Sequence, residues 1–281
     1  MGTSQSSKGP GAKVPLVPVW VPSTGSLGDG AGEGVSGEGA LEEETLNPPL
    51  NVEGPEQILT PERGFSSAKR SLGKFAVTGD SSKMRQSLGH YVHTSYKGSN
   101  NAVNRHGGSI KNAISLYDVL SSATPTSIDS SSGSIDVEGK SAREILNSIV
   151  EVVRPVDGTQ DSEASRASVA NALSELLERF PDADLLKLTQ EERVFAVERY
   201  LTEDIFCRFN LDLGNVILEK ALNPTEALSR LKEIRDYIRE TVSASFRPHF
   251  SSGNQVTSSS IGRIIKSALK QTFEIFESYT V

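Results

Sequence analysis

Cysteine is almost missing from this 281-residue chain, with Cys207 as the single example. One thiol excludes an intramolecular disulfide and any zinc site built from several thiolates, and it suits a reducing compartment. Long apolar runs are missing as well. The longest near the start, Val14 to Val21, is broken by Pro15 and Pro18 and lacks the uninterrupted core of a signal peptide. Nothing elsewhere approaches the roughly 18 consecutive apolar residues of a membrane-spanning helix, so a soluble, cytoplasmic protein that makes no use of a membrane is expected. Apolar residues reach only 36%, so part of the chain is expected outside any packed core.

Catalytic signatures are also scarce. The sequence contains no GxSxG, no phosphate-cradling GxxxxGK[ST], no HExxH and no paired-carboxylate motif set apart from helix-surface charge. No enzyme and no cofactor are expected. His90 and His93 are three apart, as two metal ligands on one helical face would be. No acid or thiol supports them at a suitable spacing, and His106 reads as a loop residue. Cys207, between Phe206 and Phe209 with no histidine near in sequence, reads as a buried inert thiol.

The charge is 29 basic against 36 acidic residues, and the two signs are segregated. Residues 1–60 carry 2 basic and 8 acidic side chains, 61–140 carry 10 and 6, and 141–281 carry 17 and 22. Between Arg63 and Lys111 nine cations face one acid, Asp80. That excess, with Lys69, Arg70, Lys74, Lys83 and Arg85 at its centre, calls for an anionic counterpart. An acidic protein surface and nucleic-acid phosphates both qualify. No RRM, KH or zinc-finger signature is present and aromatics are sparse here, which favours protein.

Three regions follow. Residues 1–60 contain 11 glycines and 7 prolines and read as an extended or disordered arm. Its apolar content forms one proline-braced knot, Val14 to Pro22, from which Leu16, Val19 and Trp20 are candidate docking residues. Residues 61–139 read as a basic helical segment, with helices near 66–77, 81–96 and 108–121, broken at Gly98 to Asn101 and at Gly107-Gly108, and followed by the Ser-rich linker 121–134. Residues 140–281 read as an α-helical bundle. Capping boxes at Ser141–Glu144 and Thr189–Glu192, and the start signal Asn223-Pro224-Thr225-Glu226, open three of its helices. The others are expected near 162–180, 211–222 and 258–278, and Pro155, Pro181 and Pro248 act as stops, giving six helices. The fold class is mainly α.

Met1-Gly2-Thr3-Ser4-Gln5-Ser6 fits the myristoylation template, and Met1 ahead of glycine is normally removed. The longer string is more specific: Met1-Gly2-Thr3-Ser4, Gly9-Pro10, Pro15-Leu16-Val17-Pro18 and Trp20-Val21-Pro22. It resembles the start of the QatB family of bacterial Qat anti-phage defence systems, and the order of acidic spacer, basic patch and helical domain agrees. The resemblance implies a partner set: an ATPase, a QueC-like enzyme and a TatD-like nuclease of the same system. QueC-type enzymes activate a carboxylate with ATP and join it to an amine. Gly2 on an arm is then a candidate modification site.

Overall fold

The computed structural model describes residues 62–124, 126–130, 133–250 and 256–280. Gly2, Leu16, Val19, Trp20 and the whole expected arm lie outside these. The described residues belong to one compact unit, 57–281.

After a 3-10 turn at Glu62–Phe65 the chain forms α1 (Ser66–Thr78) and α2 (Ser81–His90), the latter continuing as a π-helical turn over Tyr91–Ser95. The helices α3 (Ser99–Arg105) and α4 (Gly107–Ser122) follow, then a hairpin of β1 (Ser127–Ser130) and β2 (Gly133–Asp136). The C-terminal half is α5 (Ala142–Val153), α6 (Gln160–Arg179), α7 (Gln190–Lys220), α8 (Pro224–Phe250) and α9 (Ser258–Glu277). The mainly helical expectation holds.

Local chemistry sets the helix starts. Ser141 Oγ accepts from Glu144 N while Ser141 N donates to Glu144 Oε2 at 2.9 Å, and Thr189 with Glu192 repeats the arrangement at the head of α7. Asn223 Oδ1 accepts from Glu226 N at 2.9 Å. Between α1 and α2, Gly79 adopts φ +71°, and Asp80 caps α2 by accepting from Ser82 N at 2.8 Å.

Several expectations are corrected. The helices expected near 190–207 and 211–222 are one 31-residue helix, α7, so five helices rather than six follow residue 140 among the described residues. Within α7 the Asn210 side chain lies over Gly214, where a Cβ would collide with it. Gly98 to Asn101, expected as a break, contains the first turn of α3, and the Ser-rich linker contains the β1–β2 hairpin, paired Ile128 to Ile135. Pro248 lies inside the last turn of α8.

The core is shared by both sides of the expected boundary near 139. Helix α7 packs against α1, α4, α6 and α8, while α9 packs against α3, α4 and α8. Leu72, Phe75, Leu88, Leu116 and Leu120 of the basic segment are buried in the same cluster as Tyr200, Phe209, Ile234 and Phe273. Among the described residues no helix is long and apolar enough to cross a membrane.

Candidate functional site

Helices α1 and α2 form a hairpin whose apolar stripes, Leu72 and Phe75 on one and Met84 and Leu88 on the other, turn inward. The opposite faces present the cations. Lys69, Arg70, Lys74 and Arg85 are exposed and Lys83 is half-buried. None of these five forms an ion pair with a carboxylate of the described residues, whereas Arg199, Arg208, Arg230, Arg235 and Arg239 of α7 and α8 all do. Lys83 Nζ donates to Gln86 at 3.4 Å, and Arg85 lies over the Tyr237 ring at 5.6 Å. Asp80, the one acid of the segment, is committed to Ser82, whose hydrogen bonds hold its carboxyl below the usual range. Lys97, Arg105 and Lys111 are exposed as well. The arrangement is a positive surface with little internal neutralisation, suited to an anionic partner.

The histidines do not converge. His93 Nδ1 meets Glu277 at 3.1 Å, and the described residues hold no group of three or more His, Cys, Asp or Glu side chains placed for a metal. His106, expected in a loop, is fully buried at the α3–α4 junction. Its Nδ1–H donates to Ala102 O at 2.9 Å and its ring packs 4.9 Å from that of Phe273. Burial pushes its pKa down to about 4, more strongly than the Asp204 carboxylate raises it. Cys207 is partly buried, 3.7 Å from Ser168 Oγ, and burial raises its thiol pKa.

The polar groups that sequence reading missed sit on α7, which is buried on every side from Tyr200 to Ile205. Asp204 accepts from Ser109 on α4 and from Arg208, and Tyr200 bonds Ser165 on α6, which accepts from Asn112. Glu203 accepts from Arg235 on α8 at 2.7 Å, and Glu175 on α6 receives Arg235 and Arg239. Tyr91 and Tyr96 both donate to Asp212. These bonds tie α4, α6, α8 and the π-helical turn after α2 to α7. A cleft of about 760 Å³ lies between the end of α6, the start of α7 and the end of α8, lined by Arg179 and Arg247 and by Glu191 and Glu198.

A family model described as Qat anti-phage system associated protein QatB matches residues 98–276, which is 179 of the 281 residues. The chain belongs to the QatB family. The QatB match runs from the start of α3 to the end of α9 and contains the α7 network apart from Tyr91 and Tyr96, while α1, α2 and their five cations precede it. QatB membership makes this chain a component of an anti-phage system, with partners in the same system. No curated protein and no solved structure gives a significant match.

Proposed function

We propose that this chain is a non-catalytic component of an anti-phage defence complex, whose helical body binds partner proteins and whose N-terminal arm docks on, and is modified at Gly2 by, a QueC-like enzyme. The observation that supports a binding role is the α1–α2 face, where five cations stand without an internal carboxylate. A charged face of this kind speeds and orients association with an acidic partner surface. The arm's part rests on the chemistry of its tip: an α-amine with an ordinary pKa near 8 is far more often an uncharged nucleophile at neutral pH than a lysine near 10.4. Its attack on an activated carboxyl forms an amide, releases the activating group and passes a proton to solvent. The ATPase and the TatD-like nuclease complete the proposed partner set.

Copurification of the chain with the QueC-like enzyme, the ATPase and the nuclease tests the body's role. Reversal of Lys69, Arg70, Lys74, Lys83 and Arg85 to glutamate is expected to release at least one partner while leaving the fold intact. Retention of every partner overturns it.

The same five cations favour a second reading, a nucleic-acid-binding subunit that uses the segment 63–111. Under it the charge reversal abolishes salt-sensitive DNA or RNA binding at physiological ionic strength and leaves the protein partners bound.

A further inference from the structure

Helix α6 lies along α7, where Ser165 meets Tyr200, Ser168 meets Cys207 and Asp161 meets Arg208. It also reaches α8, since Glu175 receives Arg235 and Arg239. Its N-terminus is level with Arg208, and α7 continues for twelve further residues to Lys220, about 18 Å of helix. Along that overhang Leu211 and Leu218 stand four and eleven positions beyond Cys207, on the stripe that α6 covers earlier. Leu222 follows in the turn, and Leu228 on α8 is seven positions before Arg235, again on the side that meets α6. These four leucines are 41%, 61%, 75% and 66% exposed. With Val156, in the turn leading into α6, they make up five of the six large exposed apolar side chains of the described residues. The seat of α6 thus runs on, open and apolar, past the end of α6.

We propose that this face, carried by Leu211, Leu218, Leu222 and Leu228, is an interface with a second copy of this chain, in which two α7–α8 hairpin tips pack as a four-helix contact about a two-fold axis. Four leucines so exposed present roughly a few hundred Å² of apolar surface, the size of the largest patch on a typical monomer, which is often functional. Two such patches with their rims bury roughly 1,000 to 1,200 Å², the lower end for a specific complex, so the dimer is concentration-dependent. Charge selects the occupant. Glu219, Lys220 and Lys232, all exposed and without an ion pair among the described residues, give the hairpin tip charges of both signs, and Glu226 is already paired with Arg230. A rim with both signs complements its own copy about a two-fold axis and gives no advantage to a strongly charged partner.

Sedimentation velocity on the full chain alone, over a range of concentrations, tests this. The weight-average mass is expected to rise from 30.2 kDa toward twice that value, and Leu218→Glu with Leu228→Glu to weaken self-association at least about tenfold. Both positions face solvent in the monomer, so an unchanged thermal transition is expected, and Val77→Glu, on α1, serves as a control that keeps the dimer. A chain that stays monomeric at the highest concentration overturns the proposal, as does a dimer that survives the double substitution. A monomer that binds another component of the system in a manner lost with Leu218→Glu also overturns it and assigns the face to that partner.

Discussion

Ser109 on α4 and Asp204 on α7 are 95 positions apart in the chain and 2.5 Å apart in the fold, with the Ser109 hydroxyl donating to a carboxylate that is 2% exposed. The same carboxylate oxygen takes Arg208 Nε at 3.1 Å. A buried carboxylate needs such partners because its desolvation is otherwise unmet. Ser109→Ala is expected to destabilise the fold by about 1–3 kcal/mol. Asp204→Ala, which leaves Arg208 short of its buried partner, is expected to cost more. Urea unfolding with matched m-values checks both; wild-type stability in either variant removes the network from the account.

His106 gives the fold a pH dependence whose sign follows from its burial. The folded protein holds the ring neutral down to about pH 4, while the unfolded chain protonates it near 6.5. Between those values the unfolded state binds more protons, so stability is complete above about pH 6.5 and falls as the pH drops toward 4. His90, also lowered by burial, contributes in the same direction. His106→Gln is expected to flatten the unfolding free energy across that interval, by on the order of 3 kcal/mol between its ends. An unaltered slope in the variant contradicts the assignment.

The core shared across residue 139 predicts how fragments behave. A chain of residues 140–281 loses α1 and α4 from the surface of α7, and Tyr91 from the ring of Phe209, so it is expected to melt without a cooperative transition. Residues 62–281 are expected to retain one. Calorimetry of the two fragments decides, and a sharp transition in the shorter one shows that α1 to α4 are dispensable.

Gly79 is expected to tolerate no side chain. Its φ of +71° is costly for other residues, and a Cβ there falls 2.6 Å from the Arg230 guanidinium, which is paired to Glu226 and Glu233. Gly79→Ala is expected to cost more than about 1 kcal/mol. A thermal midpoint equal to wild type contradicts this.

What the sequence disclosed follows the range of the interactions involved. The starts of α5, α7 and α8 were legible because their caps are made within three or four residues, as Ser141 with Glu144 and Thr189 with Glu192. The continuity of α7 was not legible from the sequence, which suggests separate helices near 190–207 and 211–222 where one helix runs from Gln190 to Lys220. The depth of Glu203 and Asp204 was hidden too, since a carboxylate on a helix reads as a solvated charge until its partners on α4 and α8 are known. The cations of α1 and α2 were plain from composition. Their freedom from internal carboxylates emerges only from the fold, in which Glu175, Glu203, Asp204 and Glu226 pair instead with Arg199, Arg208, Arg230, Arg235 and Arg239.

The most direct measurement of the proposed function is the mass of the N-terminal peptide, taken from cells that carry the whole defence system and from cells that lack only the QueC-like enzyme. With the enzyme present, the peptide beginning at Gly2 is expected to be heavier by one adduct placed on the α-amine by fragmentation, and in its absence to have the mass of the free glycine terminus. A free Gly2 amine in the complete system, or an adduct that forms without the enzyme, contradicts the account.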